Sequence, residues 1–173
     1  MVAKPEVMIA LVGVLAIATV TDLLLRRIPN WLTFPAMMAG LGLNVTQSGH
    51  HGLLFSIGGL FLGMGVFIIF YLMGGMGAGD VKLMAAVGSM IGPRMVVTAA
   101  LCTALAGGIY ALAVIALHPA ARTVRAAATK TLMSFFYFRG VRDDDLAVEG
   151  KPPRLCYGLV ITVGTIAAVI LKG

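Results

Sequence analysis

The sequence predicts an all-α fold: a polytopic bundle of about six transmembrane helices with its N-terminus outside. Three observations predict it. Of 173 residues, 60% are hydrophobic and 12% charged, and the mean hydropathy is +0.99. A soluble domain is about 45–50% apolar and about 25% charged. Six apolar stretches follow one another along the chain. The basic residues between them concentrate on alternate connections, as the cytoplasmic bias of Lys and Arg requires. Residues 1–173 read as one membrane-embedded domain.

The first stretch, Val7–Leu25, follows Lys4 and contains Ala16-Ile17-Ala18, which imitates a small-x-small cleavage site. It runs on to Leu25 and meets Arg26-Arg27, a flank that opposes full export. An uncleaved first span is expected. Trp31–Val45 is short beside the roughly 20 residues that a spanning helix needs, and Leu53–Met73 is long enough. Asp80–Ile91 is shorter still, about 18 Å at 1.5 Å per residue. It ends at Gly92-Pro93, because proline lacks an N–H and disfavours helix just before it. Met95–Leu117 and Leu155–Leu171 complete the set.

With the N-terminus outside, the inner connections hold Arg26, Arg27, Lys82, Arg122, Arg125, Lys130, Arg139, Arg142, Lys151 and Arg154. The outer side keeps Lys4, Arg94 and Lys172. The opposite orientation inverts this bias. The same basic loops account for the pI of 9.8. No basic-groove motif supports nucleic-acid binding. The longest connection, His118–Arg154, begins as a basic amphipathic segment suited to the inner leaflet and ends as the charged loop RDDDLAVEGKPPR. A solvated connector with a surface helix is the plain reading of it.

Two carboxylates belong to apolar spans. Asp22 lies about one turn before the inner end of the first, and Asp80 opens the fourth, also on the inner side. An ionisable group within a span is costly and marks a functional site by default. The plain alternatives are an ion pair of Asp22 with Arg26, an N-cap at Asp80, and an interfacial, snorkelling Lys82. Helix dipoles divide the pair, disfavouring negative charge at Asp22 near a C-terminus and favouring it at Asp80. On that contrast, Asp22 is expected to hold the proton.

Taken together, the two acids suit aspartic protease chemistry. Like charges at short range do not both ionise, so one carboxylate activates water while the other, protonated, polarises a peptide carbonyl. Gly74, Gly75, Gly77 and Gly79 precede Asp80. Lacking Cβ, they open unusual φ angles and allow close approach. Irregular backbone at membrane depth is tolerated only where it is buried or lines a cavity. The short fourth span either begins below the inner surface, which puts Asp80 in a recess, or continues past Gly92-Pro93.

Gly77-Ala78-Gly79-Asp80 is a GxGD motif, and GMGAGDVKLMAA resembles the second aspartate motif of the type IV prepilin peptidases, which are membrane aspartic proteases. Asp22 with Arg26-Arg27-Ile28-Pro29-Asn30 resembles their first motif, an aspartate followed by R-x-I-P-N. Leu155-Cys156-Tyr157-Gly158 resembles their P-Y-G, with cysteine in place of proline. The likeness covers nearly the whole chain. It implies removal of a short basic leader from prepilins or pseudopilins at the cytoplasmic face of a bacterial inner membrane. It also implies Asp22 and Asp80 as the catalytic pair, with Gly77, Gly79 and Lys82 in support. With two cysteines and no CxxC, the chain looks like the short peptidase-only branch of tight-adherence (Flp) pili. Archaeal preflagellin peptidases are close neighbours. On this reading the acidic run Asp143–Asp145 is a candidate attractor for the leader.

No cofactor is expected. His50 and His51, in a short outer loop, and His118 lack the convergent partners of a metal site. Cys102 and Cys156 fall near opposite faces, too far apart for a disulfide. Glycine pairs such as Gly58-Gly59 and Gly107-Gly108 read as helix packing in lipid. Three alternatives stay open. A small transporter or channel has the acids as a proton or cation relay. A non-catalytic assembly factor has them as structural groups. A presenilin-like intramembrane protease carries a tyrosine before its first aspartate, where this chain has Thr21.

Overall fold

A computed structural model describes residues 5–25, 27–72, 76–117 and 157–172. They form four helical elements, α1 (Pro5–Leu25), α2 (Asn30–Leu72), α3 (Ala78–Leu117) and α4 (Tyr157–Lys172), with no strand among them. The first three are long and apolar enough to cross a membrane, and α4 is a shorter apolar helix. The expected surface helix and loop at 118–154 lie outside the described residues.

Two of the elements are hairpins. Gly49 breaks α2 at φ 56° and Gly92 breaks α3 at φ 78°, values that side-chain-bearing residues rarely adopt. The Ser56 hydroxyl donates to the Gly40 carbonyl at 3.3 Å. Sixteen residues of straight helix would hold these groups about 24 Å apart, so α2 doubles back at Gly49. Pro93 follows the second break as the first residue of a new helical arm, where its missing N–H costs nothing. Between breaks the described residues form six helical segments: 5–25, 30–48, 50–72, 78–91, 93–117 and 157–172. Each coincides with one of the apolar stretches.

The arm 78–91 is the centre of the bundle. Val81, Leu83, Met84, Val87, Met90 and Ile91 are all buried on it, so no face is left for lipid. Small residues let its neighbours approach, which matters because lipid supplies no hydrophobic drive between helices. A Cβ on Gly59 would collide with the Gly88 carbonyl, and one on Gly63 would come within 2.6 Å of the Met84 carbonyl oxygen. These contacts run antiparallel, in a register that sets Asp80 level with Phe67. The second arm of α2 continues five residues past that level to Leu72, about 7.5 Å at 1.5 Å per residue. Asp80, in the first turn of its helix, therefore lies well short of the level of Leu72.

The first arm of α2 runs parallel to 78–91 and closes its far end. Asn44 Nδ2 donates to the carbonyls of Gly40, Ser89 and Met90 at 3.0, 3.1 and 3.3 Å. Ser89 and Met90 end a helical arm, where carbonyls lack intrahelical partners, and Asn44 supplies one.

Candidate active site

On α1 the buried residues are Val7, Leu11, Leu15, Ala18 and Asp22. Their spacing of three or four traces a single helical stripe, and Asp22 is its last member. Its carboxylate therefore points into the bundle. Oδ2 of Asp22 accepts the backbone N–H of Gly158 at 2.8 Å. That N–H belongs to the first turn of α4, where backbone donors have no intrahelical acceptor. A Cβ on Gly158 would lie 2.9 Å from both Cβ and Oδ2 of Asp22, so glycine is what lets the two approach. One turn away, the hydroxyls of Thr19 and Thr162 meet at 2.8 Å and fasten α1 to α4.

Asp80 is the third residue of α3. Its Oδ2 accepts the Gly77 N–H at 3.1 Å, while its own N–H donates to the Gly77 carbonyl at 3.1 Å. The carboxylate supplies the N3 half of a capping box, with the acid at the third helical position, while the other bond is a backbone turn, since Gly77 has no side chain to return it. Gly77, not Asp80, thus stands at the N-cap, so the plain alternative of an N-cap at Asp80 is shifted by three residues. Gly79 serves close approach, since a Cβ there would lie 3.1 Å from the Ile28 Cβ and 3.3 Å from its carbonyl oxygen. Among the described residues only Gly49 and Gly92 have positive φ. The unusual backbone expected of the motif is therefore not found at Gly77 or Gly79. Gly74 and Gly75 lie outside the described residues.

The two acids are 7% and 8% exposed, the only buried ionisable side chains among the described residues. They come from different helices and lie within Coulombic range of each other. Tyr157, beside Gly158, is also within range of Asp80. The first turn of α4 thus holds Asp22 directly and lies in the electrostatic field of Asp80. Because Asp22 accepts a donor from the N-terminus of α4, both acids meet backbone N–H groups at helix starts. The dipole contrast drawn from their own helices alone does not hold. The possible Arg26 partner of Asp22 lies outside the described residues.

Lys82 is not a free snorkelling side chain. Its Nζ donates to Oδ1 of Asn30 at 2.9 Å and lies 5.5 Å from the centre of the Phe34 ring. The R-x-I-P-N and GxGDVK stretches are therefore joined twice, by Asn30–Lys82 and by Ile28–Gly79.

His50 and His51 are exposed beside the Gly49 break, and Cys102 is half-buried against the core. No group of three or more His, Cys, Asp or Glu able to hold a metal occurs among the described residues. His118, Asp143–Asp145 and Cys156 fall outside them. Sequence reasoning gave little weight to Tyr157-Gly158, because the motif around them was incomplete. The signal was a glycine in the first turn of an apolar helix.

The model of the type IV leader peptidase family matches residues 9–112, a segment that holds both aspartates. Comparison with curated proteins and with solved structures found no match.

Proposed function

The chain belongs to the type IV leader peptidase family, and from that premise we propose that it is a membrane aspartic endopeptidase acting on prepilins or pilin-like proteins. Asp22 and Asp80 form its catalytic pair. The observation that carries the proposal is that the two buried ionisable side chains among the described residues are carboxylates from different helices, both at the end of the bundle where α1 ends and α3 begins. One carboxylate, ionised, takes a proton from a water molecule. The water oxygen attacks the scissile carbonyl, while the other carboxyl group donates its proton to the carbonyl oxygen. The proton taken from water then passes to the leaving amine as the C–N bond breaks.

The six helical segments serve as six spans, with both chain ends outside the cytoplasm. That orientation follows from the Lys and Arg distribution. On this reading Asp22, Asn30, Asp80 and Lys82 face the cytoplasm from a bacterial inner membrane, on the side where a basic leader is presented. On this reading the substrate chain descends past the level of Leu72 to reach Asp80. The transporter reading needs the acids to relay ions across the bundle. Their placement at one end, together with the family, favours hydrolysis.

The test is leader cleavage by the reconstituted protein, using a prepilin whose leader ends in glycine. Wild type is compared with Asp22→Asn and Asp80→Asn, each checked for folding by thermal shift. Cleavage by wild type alone supports the pair, whereas cleavage by a folded variant rejects it.

A further inference from the structure

Lys82 sits two residues after Asp80. Residues two apart lie roughly 200° round a helix, so their side chains do not face each other. Lys82 therefore cannot serve as the ion-pair partner of Asp80 on their shared helix. It reaches the opposite way, to the first turn of α2, where Asn30 Oδ1 accepts a hydrogen bond from Nζ at 2.9 Å and the Phe34 ring lies beneath it at 5.5 Å. Asn30 opens α2 directly after the loop that leaves α1, and Ile28 of that loop packs on Gly79.

We infer that Asn30 and Lys82 are a positioning pair for the aspartates. They fix the rotation of the first turn of α3, so that Asp80 points toward Asp22, and they hold the loop from α1 against that turn. The argument is mechanical. Asp80 is only three residues into its helix, and helix ends fray. The turn is held from within by the Gly77 cap and from outside by Lys82. A cationic group over an aromatic face and on an amide oxygen is held more firmly than a snorkelling lysine. Neither Asn30 nor Lys82 is assigned any contact with the reacting atoms. The activity readout below rests on the peptidase reading.

The experiment is a double-mutant cycle on the full chain with Asn30→Ala, Lys82→Met and both together, with Lys82→Arg as the conservative control. Positioning errors of about 1 Å can cost about 10²-fold in rate. Each single variant is expected to lower kcat about tenfold or more while KM stays within about twofold. The double variant is expected to be no slower than the slower single, because either change alone breaks the pair. Lys82→Arg keeps a donor and a cation, and should retain most of the activity.

A second measurement does not depend on cleavage. Spin labels are placed at Leu24→Cys and Ala78→Cys, both on exposed positions, in a background with Cys102 and Cys156 replaced by alanine. The distance distribution between them should broaden in Asn30→Ala and Lys82→Met and stay narrow in Lys82→Arg. Losses that multiply in the double variant, a change confined to KM, or unchanged distances each overturn the inference. If wild type cleaves no prepilin, the peptidase reading fails, and the distances alone decide whether the pair positions the two acids.

Discussion

The backbone N–H of Gly158 donates to Oδ2 of Asp22 at 2.8 Å, joining the first turn of α4 to the last turn of α1 across 136 residues of chain. The bond gives a buried carboxylate a partner and gives a helix start an acceptor. It exists because position 158 has no side chain. Gly158→Ala places a methyl group 2.9 Å from Asp22. Overpacking of this kind costs about 1–3 kcal/mol, and displacement of Asp22 by about 1 Å is expected to lower kcat about 10²-fold. Thermal shift and steady-state kinetics on the reconstituted variant read the two effects separately. A variant as active as wild type shows that Asp22 does not act from this position.

The capping geometry of Asp80 separates its two roles. Asp80→Asn keeps an oxygen acceptor for the Gly77 N–H, while Asp80→Ala removes it. Loss of a helix cap costs about 0.5–2 kcal/mol. Both variants are expected to lose cleavage, and only Asp80→Ala is expected to lose stability of that size. Equal stability of the two shows that the Gly77 bond contributes nothing to folding.

The apolar stretches and their order were legible because hydropathy reports each segment without reference to the others. The break at Gly92-Pro93 was legible because its cause is local. Asp22 and Asp80 stood out because an acid among apolar residues has few explanations. What the sequence hid lies between segments. The partner of Gly158 is 136 residues away and that of Lys82 is 52 residues away. A glycine in an apolar run looks the same whether it admits a carboxylate or a neighbouring helix. The cap at Asp80 was misplaced by three residues, because an acid at the N-cap and one at the third helical position share the same local signature.

Asn44 closes the far end of the central arm through Nδ2 bonds to Gly40, Ser89 and Met90. Asn44→Leu keeps the approximate volume and removes the donor. Leaving buried carbonyls unsatisfied costs about 1–3 kcal/mol. The variant should unfold earlier in a denaturant titration in detergent while keeping wild-type kcat, because Asn44 lies at the opposite end of the arm from Asp80. A matching loss of kcat under folded conditions shows that the two ends of the arm are coupled.

The two hairpin breaks should respond differently to alanine. Gly49 has φ 56° with nothing near its missing Cβ, whereas Gly92 has φ 78° and ψ 177° with the Phe55 ring where a Cβ would stand. Gly49→Ala therefore meets only the backbone penalty, about 1–3 kcal/mol for such a conformation. Gly92→Ala meets a comparable backbone penalty and a steric one as well. Adding Phe55→Ala to Gly92→Ala relieves the contact but not the backbone, and leaves its own cavity. The double variant should recover part of the loss and remain below Phe55→Ala alone. Denaturant unfolding of the four variants reads this order directly. Equal losses at Gly49 and Gly92 show that Phe55 yields to a methyl group, and that the tight packing at the Gly92 turn is not what holds that hairpin closed.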